Sequence, residues 1–167
     1  QQQLFAAMRY SLLAGGKRLR PVYALEFCRL CGGDWHAALP FAAAIEMVHT
    51  YSLIHDDLPC MDNDDYRRGK PTNHKVFGET NAVLAGDALL TEAFGVLAAA
   101  ELPPERLVAG VRILSRAAGA LGMVGGQVLD LAAEEKTEAD AQDVYAIQAR
   151  KTGALIAAAC QLGVAAA

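Results

Sequence analysis

The chain has 167 residues, of which 53% are hydrophobic, 20% charged and 7% aromatic, a profile that excludes disorder and fits one globular domain with a sizeable core. Fifteen Lys and Arg against nineteen Asp and Glu leave a net charge of -4, the wrong sign for a broad nucleic-acid footprint, so no nucleic acid is expected as a partner. The longest uncharged run, Thr152 to Ala167, has 16 residues, short of the roughly 18 a spanning helix needs, so no stable membrane insertion is expected. The opening Gln1-Gln2-Gln3-Leu4-Phe5 lacks the layout of a secretory signal, which leaves the cytoplasm as the default expectation.

Leu, Ile, Phe, Val and Ala recur three and four apart almost throughout, and β-branched alternation is scarce, which predicts an all-α bundle forming a single domain over residues 1–167. Gly15-Gly16 ends a first helix near residue 14, Pro21 suits the first turn of a second, and Gly32-Gly33 closes it. Within that second helix Cys28 and Cys31 stack on one face. A C-x-x-C can serve zinc or redox chemistry, but no second pair accompanies it, and the four cysteines read as small buried hydrophobes. Pro40 opens a third helix that runs to about Leu58, where Pro59 interrupts it, and the polar segment Asn63 to Asn73 carries Gly69 and Pro71 as turn markers. A fourth helix covers roughly Glu79 to Ala100 and Pro103-Pro104 starts a fifth. Glycines 119, 122, 125 and 126 allow a bend or a close helix approach before Glu134. Thr137 with Asp140 resembles a capping box for the last helices. Ala157 to Ala167 reads as apolar helix without a stop signal, which predicts a fragment, truncated also at its amino end.

The chemistry concentrates between His49 and His74. Five acids, Asp56, Asp57, Asp62, Asp64 and Asp65, fall within ten residues and are followed by Arg67, Arg68 and Lys70. A solvated loop with local ion pairs accounts for an ordinary charge run. Here Asp56 and Asp57 continue an apolar helix containing Ile45, Val48, Leu53 and Ile54, so their carboxylates fall near the bundle axis, where unpaired charge is expensive. Clustered oxygen ligands suit a hard cation, Mg2+ or in its place Mn2+, shared between carboxylates and a substrate's phosphates. At about 100° per residue His49, Ser52 and Asp56 share one helix face, whereas Asp62 lies roughly 120° from Asp56 on an unbroken helix. Pro59 breaks the helix and lets Asp62 return. Asp56 and Asp62 are therefore the principal metal ligands expected, with Asp57 behind them in the metal site and Asp64 and Asp65 as helix-end or solvent charges. Lys17 and Arg20, three apart beside the Gly15-Gly16 turn, can reach one anion jointly, and Arg67-Arg68 supplies guanidinium forks for phosphate oxygens. The turn is not a nucleotide P-loop, because position 11 is Ser and Arg18 follows the lysine.

Four runs, Gly15-Gly16-Lys17-Arg18-Leu19-Arg20-Pro21, Asp56-Asp57-Leu58-Pro59-Cys60-Met61-Asp62, Arg67-Arg68-Gly69-Lys70-Pro71-Thr72 and Lys151-Thr152-Gly153, together resemble the trans-isoprenyl diphosphate synthases, particularly farnesyl and geranylgeranyl diphosphate synthases. The resemblance implies the isoprenoid-synthase helical bundle, incomplete at the C-terminus. It implies a prenyltransferase that ionises an allylic diphosphate (dimethylallyl or geranyl), lets the isopentenyl diphosphate double bond attack, and loses a proton. It gives Asp56 and Asp62 to magnesium, Arg67 to the allylic diphosphate, and Lys17, Arg20, His49 and Arg68 to the isopentenyl diphosphate pocket. Lys151 and Thr152 match the pair that contacts the allylic diphosphate and faces the developing cation, and Gln127 with Asp130 matches a polar patch across the cavity. By the same analogy Tyr51 and Ser52, five and four positions before Asp56, set tunnel depth, and an aromatic floor at Tyr51 favours the C15 farnesyl product over the C20 one. Family members usually form homodimers and carry a second aspartate-rich motif that this chain lacks, so the 167-residue piece is expected to be inactive alone. Alternatives open on the residues are a non-catalytic subunit of a prenyl synthase, a di-iron protein using Glu46-x-x-His49, and a metal phosphohydrolase using His55-Asp56.

Overall fold

The computed structural model describes residues 1–134 and 140–167, and within them the expected helical bundle forms. Helices α1 (Gln2–Leu12), α2 (Leu19–Leu30) and α3 (Leu39–Asp56) precede a hairpin of β1 (Tyr66–Arg67) and β2 (Lys70–Pro71). After it come α4 (Asn73–Phe77), α5 (Glu79–Ala98), α6 (Pro104–Ala118), α7 (Met123–Glu134), α8 (Ala141–Ile147) and α9 (Ala154–Ala166). A π-helical turn, Gln148–Gly153, joins α8 to α9. Thr137, and with it the expected capping box, lies outside the described residues. Asp140 does cap α8, its carboxylate accepting from the Asp143 N–H at 2.8 Å.

α3 forms the axis of the bundle. Its Phe41, Ile45, Val48 and Ile54 are buried, and each such side chain contributes roughly 1.5–3 kcal/mol relative to exposure. They pack principally on α5, whose Ala82, Ala85, Leu89, Ala93 and Leu97 make a buried stripe at three- and four-residue spacing. α2 and α6 lean on α9 through its Leu155, Ala158, Ala159 and Leu162. Arg106 Nη1 donates to the Ala166 carbonyl at 3.1 Å, which satisfies one of the acceptors a helix end leaves open.

Several expectations change. α3 stops at Asp56, two residues short of Leu58, because Pro59 disfavours helical backbone at the residue before it. The polar segment is more than a loop: Arg68 and Gly69, at φ 54° and 76°, make a two-residue turn of the I′ kind that pairs Tyr66 with Pro71 and Arg67 with Lys70. α4 follows it directly. Among the cysteines only Cys28 is buried; Cys31 lies past the end of α2 and is exposed, so the pair does not share a buried face. Glu79–Ala98, which is α5, and the stretch Pro104–Glu134 are long and apolar enough by length and composition to cross a membrane, which counting uncharged runs did not reveal.

Candidate active site

Two cavities adjoin where α2 and α3 face α7 and the π-helical turn. The larger, of about 460 Å³, brings together Arg20, His49, Tyr51, Ser52, Asp56, Gln127, Lys151 and Thr152, all singled out from the sequence. The second, of about 380 Å³, is lined by Lys17 and Arg68 and shares Arg20 and His49 with the first. The four residues matched to an isopentenyl diphosphate pocket thus surround one space, and Asp56, Lys151 and Thr152, matched to the reacting end of an allylic chain, line the next.

The α3 face that carries His49, Ser52 and Asp56 follows directly from helical spacing. Beyond Asp56 the chain folds back: Leu58 N–H donates to the His55 carbonyl at 3.1 Å, and Asp62 N–H donates to the Asp56 carbonyl at 2.9 Å. The two predicted ligand residues are therefore neighbours, with Asp62 exposed. Burial raises the Asp56 pKa above the usual carboxylate range; Lys151 opposes the rise and Asp62 adds to it. Among the described residues no group of three His, Cys, Asp or Glu could hold a metal by itself. Two carboxylates of which one is reluctant to ionise fit a hard divalent cation that takes its remaining ligands from diphosphate and water.

Arg67 does not line the larger cavity. Its Nε donates to Asp57 Oδ1 and Oδ2 at 2.7 and 2.9 Å, and its Nη2 lies 2.6 Å from Oδ1. Asp57 is buried, so this fork offsets a charge that would otherwise be costly, and it leaves Asp57 engaged with Arg67, behind Asp56 and Asp62. The hairpin turn sends Arg68 the other way, where its guanidinium donates to the Gly15 carbonyl. Gly16 has a φ of 124°, which side chains rarely adopt, and a Cβ there would crowd the Arg68 guanidinium, so glycine suits this approach.

Lys151 and Thr152 are carried by the π-helical turn, a feature that helical periodicity did not signal and that is frequent at functional sites. Lys151 Nζ donates to Asp130 Oδ2 at 2.5 Å. Burial lowers the Lys151 pKa, but the Asp130 hydrogen bond and charge, with Asp56 and Asp62, outweigh it and raise it overall. Asp130 does not line the cavity; it holds the lysine that does, one turn along α7 from Gly126, where a Cβ would meet the Lys151 backbone nitrogen at 2.2 Å. Apart from His55, the rest of the wall is apolar: Leu53, Met61, Met123, Val124, Val128 and Leu131. Tyr51 is 6% exposed, and its ring meets that of His55 edge-on at a centroid distance of 5.6 Å. Sequence reasoning gave no site role to Met123 or Arg18 and used His55 and Glu46 only in rival readings. Glu46, on the same face one turn before His49, was the available signal.

One side chain shared by the two cavities has a polar atom without a partner. Arg20 Nε is buried without a hydrogen-bond acceptor, an arrangement that an oxyanion would relieve. Burial first, and then Arg20, Arg68, Arg67 and Arg18, hold the His49 imidazole down at about 4. Its charging therefore costs stability as pH falls from the ordinary histidine range towards that value. In an NMR titration His49 is expected to stay neutral at pH 5, and added inorganic diphosphate should move its midpoint upward. A midpoint near the ordinary value without ligand would contradict the crowded cationic surroundings.

The whole chain, residues 1–167, matches the family model described as Polyprenyl synthetase. It is 54% identical to a heterodimeric geranylgeranyl pyrophosphate synthase large subunit from Arabidopsis thaliana, over 96% of this chain and 45% of that one. It is equally 54% identical to a farnesyl diphosphate synthase from Micrococcus luteus, over 95% of this chain and 54% of that one. The crystal structure of an FPP/GFPP synthase from Zymomonas mobilis superposes with a TM-score of 0.94 at 47% identity, covering 98% of this chain and 60% of its own. The chain spans about half the length of the curated relatives it matches.

Proposed function

The chain belongs to the polyprenyl synthetase family, and on that basis we propose that it forms the substrate-binding half of a prenyltransferase that condenses isopentenyl diphosphate with an allylic diphosphate, with farnesyl diphosphate as the product. The observation that carries the reading is the junction of the two cavities: a cationic pocket of Lys17, Arg20 and Arg68 opens, through the shared Arg20 and His49, onto a cavity with Asp56 and Lys151 on one side and apolar side chains on the other. Relatives named for farnesyl and for geranylgeranyl products support the reaction class equally. The buried Tyr51 ring supports the shorter product.

In this reading the cationic pocket fixes the isopentenyl diphosphate through its phosphates and presents its double bond to the larger cavity. The allylic diphosphate lies with its phosphates at Asp56, Asp62 and Lys151 and its hydrocarbon along Met123, Val124 and Val128. Heterolysis of the allylic carbon–oxygen bond transfers a full negative charge to the leaving group. Lys151, held in place by Asp130 before the reaction begins, meets that charge without reorganising. Asp56 and Asp62 would hold Mg2+, which, when bound, neutralises diphosphate and makes it a better leaving group. The Thr152 hydroxyl faces the cationic carbon, and the apolar wall keeps water from quenching it. Attack by the double bond and loss of a proton complete the condensation.

Dimerisation with a second copy belongs to the same proposal. One relative's printed name, the large subunit of a heterodimer, supports a paired assembly without specifying an identical partner. The test is condensation of isopentenyl and geranyl diphosphates in Mg2+, assayed on the 167-residue chain and on a protein of full family length that contains it. Product from the longer protein alone is expected. No product from either would overturn the function, and equal turnover by the short chain would overturn the view that it is half of a site.

A further inference from the structure

We propose that Arg18 is a positioning residue of the diphosphate cradle, acting through a half-buried ion pair with Glu46 that both locks the turn carrying Lys17 and Arg20 and cancels the one acidic side chain facing the anion. The inference rests on the reading of the cationic pocket as a diphosphate site. Arg18 sits immediately before α2 at φ 52° and ψ 33°, a left-handed conformation that crowds the Cβ of any residue but glycine. Something must hold it there. Its Nη1 donates to Glu46 Oε1 at 2.6 Å and its Nη2 to the Leu12 carbonyl at 2.7 Å. One guanidinium thus ties the end of α1, the start of α2 and the middle of α3, and a planar fork does this where a lysine could not.

The electrostatic half of the argument comes from what lines the pocket. Lys17, Arg18, Arg20 and Arg68 surround it, and Glu46 is its single acid. Glu46 is 7% exposed and stands one helical turn before His49. Left unpaired, it would repel the ligand and draw Arg20 towards itself. Paired with Arg18, it leaves Lys17, Arg20 and Arg68 for the diphosphate. Arg18 is therefore the cation of the Gly15-Gly16-Lys17-Arg18 turn whose charge is already used.

The two diphosphate sites are separable in solution, because the cationic pocket has no free carboxylate and binds without metal, whereas Asp56 and Asp62 bind diphosphate only through a divalent ion. Calorimetric titration of the chain with inorganic diphosphate, first with a chelator and then with Mg2+, reads them in turn. Arg18→Met is expected to weaken the metal-independent event by at least about tenfold and to leave the Mg2+-dependent one unchanged. Glu46→Gln, which keeps an oxygen for Arg18 but removes the charge, is expected to bind at least as tightly as the original chain, and the double variant should recover part of the Arg18→Met loss. Unaltered affinity in Arg18→Met, an equal loss in Glu46→Gln, or parallel loss of both events would each overturn the inference while leaving the site reading intact. Failure of the unsubstituted chain to bind diphosphate without metal would overturn the site reading, and the inference with it.

Discussion

Asp56→Asn is expected to lower the affinity of the chain for diphosphate in Mg2+ by about 100-fold or more and, without metal, to raise its melting temperature by roughly 2 °C. The first figure follows from the 10- to 100-fold that even indirect supporters of a metal are worth, which a direct ligand should exceed. The second has the opposite sign because the carboxylate is costly to the empty fold. Burial raises its pKa above that of the unfolded chain, Asp62 adds to the rise, and Lys151 only partly offsets it. Below the ordinary carboxylate pKa the group is protonated in both states and costs nothing. As pH rises, the unfolded chain releases its proton first, so stability is lost progressively up to the folded value and is not regained above it. An asparagine has no such slope. The melting-temperature difference should therefore be absent in acid and present at neutral pH, amounting to under about 1 kcal/mol for a partly exposed group in a chain of this length. Calorimetry with and without Mg2+ checks both halves. A variant that loses stability without metal would show that Asp56 is a structural acid.

What the sequence revealed of this site depended on how local the signal was. His49, Ser52 and Asp56 were legible because one period of 3.6 residues places them on one face, and Asp62 because a proline has only a few backbone consequences. Arg67 was legible as a phosphate-type guanidinium but not as the partner of Asp57. That pairing needs a hairpin whose first turn residue is an arginine at positive φ, and arginine carries no turn signal there. Lys151 was found by resemblance, whereas its reach to Asp130 depends on the π-helical turn and on Gly126, which lets two backbones meet. The Glu46 and Arg18 pairing joins residues 28 apart in sequence, and nothing in either local pattern announces it. The fold was easier for the same reason: alanine and leucine stripes repeat over whole helices, so boundary errors of two residues at Leu58 and Ala100 left the architecture unchanged.

Tyr51→Ala, in a protein of full family length, is expected to shift the product from C15 towards C20 and longer chains. Tyr51 lies five residues before Asp56, about 7.5 Å back along the axis of α3, and its ring lines the larger cavity with 6% of its surface exposed. It is held edge-on by His55, whose Nε2 donates to the Val83 carbonyl of α5 at 3.0 Å. The ring is thus a fixed stop, because displacing it requires moving a histidine already bonded to the neighbouring helix. Truncation to alanine removes the stop and leaves its support in place. The void opens into space that is already accessible, so the stability cost should fall below the ~3–5 kcal/mol of an aromatic-to-alanine change in a closed core. Tyr51→Phe keeps the ring and should keep the product, since the hydroxyl has no part in blocking the chain. Chromatography of the dephosphorylated products reads the outcome. A C15 profile that persists in a folded, active Tyr51→Ala protein would place the stop deeper, among Met123, Val124 and Val128 on α7.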